Sequence, residues 1–216
     1  MKIGILGTGM VGAGLGAKLV QLGHQVKMGS RTAAHEKAVA WAKAAGNNAS
    51  YGTFADAAAF GELVLNCTLG SASMEALQAA GAKNLAGKVV IDTSNPLDFS
   101  KGFPPSLFAG NTDSLGEQLQ RAFPEAKLVK TLNTISVSVM VDPAKLGAET
   151  DVFLSGNDEA AKAQAAELLK SFGWKSIVDL GDLSTARGTE SYLALWVRLY
   201  GAFKTPDLNL KIVRAR

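Results

Sequence analysis

The first twelve residues admit few folds. A short apolar run, Lys2–Leu6, meets Gly7-x-Gly9-x-x-Gly12 and passes directly into the helical pattern Met10–Leu22. Glycines at this spacing let a strand turn sharply into a helix that packs back on it. The first permits the turn, the second a close backbone approach, and the third helix–strand contact. A helix begun in this way presents unpaired N–H groups and the positive end of its dipole. The pattern predicts a βαβ unit that cradles the pyrophosphate of a dinucleotide, with Gly7, Thr8, Gly9, Met10, Val11 and Gly12 forming the cradle. A secretory signal would need a continuous apolar core. Here the stretch is broken by Gly4, Gly7, Gly9, Gly12, Gly14 and Gly16 and carries Lys18.

The next strand end indicates which dinucleotide. Folds that prefer NAD place an acid about 20 residues on, where it binds the ribose 2′-hydroxyl. Counted from Gly7, that position falls at Met28-Gly29-Ser30, followed by Arg31 and Thr32. Hydroxyl groups and a guanidinium, where a carboxylate would repel phosphate, predict a 2′-phosphate site and therefore NADP(H). Ser30, Arg31 and Thr32 are the residues expected to read it.

Further along, strand-like runs alternate with helical patterns, which predicts βαβ units and a mostly parallel, doubly wound α/β sheet of the Rossmann type. Strands are expected at Lys2–Leu6, Gln25–Met28, Leu63–Asn66, Val89–Asp92, Lys127–Thr131, Val152–Ser155 and Ile177–Asp179. Helices are expected at Met10–Leu22, Ala34–Ala45, Ser73–Ala80, Ser114–Phe123, Glu159–Phe172 and Thr185–Ala202. Residues 1–140 would form the NADP-binding domain. Residues 141–216 would form a small βαβ-plus-helix lobe packed on the same sheet. The most irregular stretch, Asn95–Thr112, follows a strand end, where ligands bind in such sheets.

Composition narrows the function classes. The 216 residues are 47% hydrophobic, enough for one good core, and contain no long uninterrupted apolar run of the kind that spans a membrane. The single cysteine, Cys67, excludes an internal disulfide and suits a reducing, cytoplasmic setting. It ends an apolar run and reads as a packing residue. The net charge of +3 is spread along the chain without aromatic interleaving, which gives no support to nucleic-acid binding. The cationic end, Lys211–Arg216, reads as a solvated tail.

GTGMVG at 7–12, Gly29-Ser30-Arg31, Ser94-Asn95-Pro96-Leu97, Lys130–Ile135 and Asp179–Gly181 leading into Ser184–Glu190 carry a resemblance along nearly the whole chain. The sequence is similar to the coenzyme F420-dependent NADP oxidoreductases. The resemblance implies an NADP-binding reductase in which Thr8, Ser30 and Arg31 hold the 2′-phosphate. It also implies that the nicotinamide lies near Thr68 and Leu69, beside Asn95 and Pro96 and near Asn133, and that the protein is a homodimer. Archaeal F420-dependent members carry histidine where this chain has Asn133, and proline where it has Ser136.

The residues restrict the chemistry. Hydride transfer belongs to the cofactor, and the protein must align donor and acceptor. Reduction of a carbonyl usually needs a placed proton donor as well. His24 and His35 are the only histidines and lie far along the chain from the expected nicotinamide residues, and no Tyr-x-x-x-Lys pair or metal-ligand cluster is present. A flat flavin- or deazaflavin-like acceptor such as F420 relaxes that need, because a ring nitrogen can take its proton from solvent or a polar side chain. Asn133 and Asn95 are candidates for positioning nicotinamide or acceptor. Arg187 and Glu190, three apart on one helix face, are candidates for an anionic acceptor or for an ion pair. Phe103, Trp196 and Tyr200 could stack on a flat acceptor, but aromatics at helical spacing are more often core, and that is the reading favoured. The expected function is hydride transfer between NADP(H) and a small-molecule, flavin-like acceptor. The alternatives are a non-catalytic NADP(H) sensor and a reductase of small imines or ketones.

Overall fold

The computed structural model describes residues 1–215. From the N-terminus the elements are β1 (Lys2–Leu6), α1 (Met10–Gln21), β2 (Gln25–Ser30), α2 (Glu36–Ala45), β3 (Ala49–Thr53), α3 (Phe54–Phe60) and β4 (Leu63–Asn66). There follow α4 (Gly70–Ala80), α5 (Ala82–Leu85), β5 (Val89–Asp92), the short β6 (Leu97–Asp98) and β7 (Ser106–Leu107), α6 (Leu115–Ala122) and β8 (Lys127–Thr131). The chain continues through α7 (Val137–Met140), β9 (Asp151–Gly156), α8 (Glu159–Phe172), β10 (Ser176–Asp179), α9 (Ala186–Ser191) and α10 (Leu193–Phe203).

Eight strands form one sheet in the order β10-β9-β8-β5-β4-β1-β2-β3. Every residue of β4 and β5 is buried, as expected of central parallel strands covered by helices on both faces. Their alternate side chains serve two cores. Ile3, Ile5, Leu63, Leu65 and Ile91 pack with α1 and α8, whereas Leu6, Val64, Val90 and Leu128 pack with α3, α4 and α6. Chain order reverses between β1 and β4, so the topological switch point lies where Gly7 and Cys67 leave the sheet. Ligands of doubly wound folds bind at this crevice.

All seven expected strands form, three of them longer than anticipated, with β10 beginning one residue early at Ser176. β2 runs on to Ser30, and β9 spans Asp151–Gly156. β3 and α3 were not anticipated, because Ala-Ser-Tyr-Gly-Thr has no apolar alternation. A reciprocal capping box between Thr53 and Asp56 starts α3 there. The expected Thr185–Ala202 helix divides at Tyr192, a single turn residue that keeps helical dihedrals, so α9 and α10 meet without an intervening loop. β9 pairs antiparallel with β8 and parallel with β10, and the buried cluster that begins at Ile3 extends to Trp174.

Two expectations need correction. The aromatics are not all core: Phe103 is 65% and Tyr200 39% exposed, and Trp196 is half-buried and stacked on Tyr200 with ring centroids 5.8 Å apart. Only Leu193 and Val197 of α10 reach the interior, so its other face lies uncovered among the described residues. The cationic end is also not free from its start. The Leu210 carbonyl accepts the Asp151 N–H at 2.9 Å, and Lys211 Nζ lies 2.9 Å from Asp151 Oδ1 and 3.0 Å from Glu149 Oε1. Arg216 lies outside the described residues. Among the described residues, no helix is long and apolar enough to cross a membrane.

Candidate active site

The glycine cradle has the geometry its spacing predicts. Gly7 has φ +119°, and a Cβ there would stand 2.7 Å from the Cys67 carbonyl oxygen. A Cβ on Gly12 would stand 2.3 Å from the Gly7 carbonyl oxygen, so α1 and the turn touch through backbone alone. Gly9, between them, faces open space. It is the N-cap of α1, which has no side-chain cap and no acid in its first turn. The leading N–H groups of this helix are therefore available to an anion. Thr8 is half-buried beside them, Val11 is half-buried against the core, and Met10 is 83% exposed at the rim.

Gly7 N–H donates to the Gly29 carbonyl at 3.1 Å, which joins the cradle to the end of β2. Ser30 is buried, and its hydroxyl donates to the Thr32 carbonyl at 2.5 Å. That bond shapes the loop on which Arg31 and Thr32 are both exposed. Arg31 has no ion-pair partner among the described residues. His35 caps α2, with Nδ1 accepting the Lys37 N–H at 3.3 Å. The donor set fits a phosphorylated dinucleotide: an uncapped helix end, an open glycine and a free guanidinium stand in series along one edge.

The loops after β4, β5 and β8 meet farther along the same edge. Thr68 Oγ1 donates to Asn66 Oδ1 at 2.7 Å, and Leu69 is 73% exposed. A Cβ on Gly70 would overlap the Asn95 carbonyl oxygen, so the first turn of α4 is pressed against the loop after β5. Asn95 Nδ2 donates to the Asn133 carbonyl at 2.7 Å, and Asn133 Nδ2 donates to Asn95 Oδ1 at 3.0 Å. Leu132, a buried non-glycine residue at φ +63°, turns the chain into this pair. Such backbone strain is characteristic of functional loops. The Pro96 carbonyl accepts the Phe108 N–H at 2.9 Å, and β6 pairs with β7, so the stretch expected to be irregular contains a short hairpin. Phe99, Phe103 and Phe108 are exposed on it.

Glu190 faces the interior. It is fully buried, with its carboxylate 2.7 Å from Lys130 Nζ and accepting the N–H groups of Leu115 at 2.7 Å and Gly116 at 3.0 Å. It thus caps α6 from inside the protein. Arg187 forms a two-pronged ion pair with Glu117, Nε–Oε2 2.8 Å and Nη2–Oε1 2.6 Å. Three amino acids apart on α9, the two have different partners: Glu190 is committed to the interior, whereas Arg187, its side chain 39% exposed, stands in an ion pair, the second of the two readings its spacing allowed.

Sequence reasoning missed the hub beneath the site. Lys130 is fully buried, and its ammonium contacts Asp92 Oδ2 at 2.7 Å, Glu190 Oε1 at 2.7 Å and the Ser94 carbonyl at 2.6 Å. Burial works to lower its pKa, but Asp92 and Glu190 outweigh burial and hold it above the ordinary lysine range. The available signal was an aspartate ending the apolar run Val89–Ile91 and a lysine following Leu128-Val129. Near Asn133, a cavity of about 220 Å³ lies between Thr134, Phe153, Leu180, Thr189, Tyr192 and Leu210, and the Tyr192 hydroxyl has no hydrogen-bond partner among the described residues. A second cavity, lined by Pro143, Gly147, Gly173 and Trp174, touches none of the expected binding residues.

Residues 2–96 match the family described as NADP oxidoreductase, coenzyme F420-dependent. A candidate F420-dependent NADP reductase from Arthrobacter sp. FB24, solved by crystallography, is 52% identical and superposes with a TM-score of 0.95 over 99% of this chain and 100% of its own. The chain belongs to the F420-dependent NADP oxidoreductase family. It is an NADP-dependent oxidoreductase. The F420-dependent NADP reductase of Methanocaldococcus jannaschii is 27% identical over 221 residues, covering 98% of both chains. Metalloreductase STEAP3 of Rattus norvegicus is 29% identical over 209 residues, and the present chain spans only 38% of its length. The cradle described above thus sits in the segment that the family model matches.

Proposed function

We propose that this oxidoreductase transfers a hydride between NADP(H) and a flat, flavin- or deazaflavin-like acceptor of the F420 type, in the cleft under residues 95–112. The observation that carries the reading is the pairing of an uncapped, open cradle with an exposed Arg31 that has no ion-pair partner among the described residues. Gly7–Gly12 would bind the pyrophosphate, and Arg31, with Thr8, Ser30 and Thr32, the 2′-phosphate. Thr68, Leu69, Asn95, Pro96 and Asn133 would border the nicotinamide. NADPH supplies a hydride when bound.

The chain's own residues then have three tasks. Backbone N–H groups and Arg31 hold the anionic end; the paired amides of Asn95 and Asn133 fix the width of the cleft; and the apolar Leu69 and the hairpin phenylalanines exclude water from a planar acceptor. No histidine stands among these residues, and Glu190 is occupied within the interior. That supports an acceptor needing no dedicated acid. We read residues 1–140 as the cofactor-binding unit and 141–216 as a lobe on the same sheet, in a cytoplasmic homodimer.

Stopped-flow mixing of NADPH with F420 or FMN tests the reading. Loss of the NADPH absorbance is expected with at least one of them at saturating cofactor. Tight NADPH binding without turnover of any flavin-like acceptor would point instead to an NADP(H) sensor. Turnover only with imines or ketones would point to the third class.

A further inference from the structure

Lys130 is a buried cation that cofactor binding, as proposed above, does not use. Its three N–H donors have three acceptors, from β5 (Asp92), the loop after β5 (Ser94) and α9 (Glu190). The contacts continue outward. Asp92 Oδ1 accepts from Asn66 Nδ2 at 2.8 Å and from the Ser94 hydroxyl at 2.7 Å. Asn66 Oδ1 in turn accepts the Thr68 hydroxyl, and Ser94 precedes Asn95, the partner of Asn133. One ammonium therefore connects the loops after β4, β5 and β8.

A purely structural role explains this poorly. Buried ion clusters are often no more stabilising than apolar side chains of similar volume. The apolar residues of these strands, among them Val90, Ile91, Leu128 and Val129, already pack into the two cores. The polar links, in contrast, run to the carboxyl edge of the sheet and end on the loops that border the cleft.

We propose that Lys130 is a positioning residue for the nicotinamide, setting the spacing of the Thr68 and Asn95 loops through Asp92, Asn66 and Ser94. The proposal rests on the NADP(H) reading above. It separates two functions along one cofactor: the phosphate end is read by Arg31 on the surface, and the nicotinamide end is set from the interior by Lys130.

The test compares NADPH with 2′,5′-ADP, a fragment that carries the 2′-phosphate but no nicotinamide. Two variants are used: Lys130→Met, which removes the hub, and Asn66→Ala, which cuts the links from Asp92 Oδ1 to Asn66 and on to Thr68 while leaving the three contacts of the Lys130 ammonium. Should Lys130→Met fail to fold, Asn66→Ala decides alone. Both are expected to bind 2′,5′-ADP within about twofold of the parent, to lose about tenfold in NADPH affinity, and to lose the change in NADPH emission that reports an immobilised nicotinamide. Parallel losses of both ligands, or an unaltered NADPH emission in Asn66→Ala, would overturn the proposal. Failure of the parent protein to bind 2′,5′-ADP would instead overturn the NADP(H) reading on which it stands.

Discussion

Asn95 and Asn133 hold each other across 38 positions of sequence: each amide nitrogen donates to an oxygen of the other residue, at 2.7 and 3.0 Å. The pair closes the gap between the loops after β5 and β8. Replacing Asn133 by Ala removes the Nδ2–Oδ1 bond and leaves an acceptor half-buried. The expected cost is about 0.5–1.5 kcal/mol of stability, read by urea denaturation. If the amide also sets the cleft, kcat should fall by more than the KM for NADPH rises. A loss of stability with unchanged kcat would confine the pair to a structural role.

Arg31→Ala tests the reading of the 2′-phosphate. A charge-assisted phosphate bond contributes about 1.5–3 kcal/mol, so NADPH affinity should fall about tenfold or more. NADH affinity should change little. Equal losses for the two cofactors would show that Arg31 does not distinguish them.

Gly9→Ala and Gly12→Ala should separate binding from folding. A Cβ on Gly9 meets nothing within 4 Å, so the variant should melt like the parent yet bind NADPH more weakly, because the new methyl stands where the phosphates approach. A Cβ on Gly12 would lie 2.3 Å from the Gly7 carbonyl oxygen. That overpacking should cost about 1–3 kcal/mol of stability. Thermal melts beside titrations with NADPH distinguish the two patterns.

Cys67 predicts an alkaline limit. Burial pushes its thiol up to about 12, whereas an unfolded thiol ionises near pH 8.5. Above about pH 8.5 the unfolded chain releases the proton and the folded chain keeps it, so stability should fall as pH rises through that window. Below it Cys67 contributes no slope. Urea denaturation of the parent and of Cys67→Ala across the window should show the slope in the parent and a smaller one in the variant. The native thiol should also resist thiol reagents until the protein unfolds.

What could be read without coordinates follows from the physics of each signal. The apolar strands and the glycine spacing are local, and they located the seven expected strands and the cradle. β3 was invisible because its pairing with β2 supplies what Ala49–Thr53 lacks in apolar pattern. Glu190 was misread for a different reason. Helical spacing put it on the same face as Arg187, but only the fold brings Lys130 and the start of α6 to its carboxylate. The exposure of Tyr200 and Phe203 was equally hidden, since apolar residues at helical intervals do not reveal whether anything covers them.

The reversal of direction at β9 has a practical consequence for anyone attaching this protein to a surface or a label. Because β9 runs antiparallel to β8, its first residue lies at the carboxyl end of β8, and Leu210 and Ile212 are bonded to that residue, Asp151. The last described residues therefore leave the molecule on the side where the cofactor loops gather. Met1 precedes β1 at the opposite edge of the sheet. A fluorophore beside Met1 keeps its distance from the cleft, whereas one attached near Leu210 stands on the side of the sheet where the cleft opens.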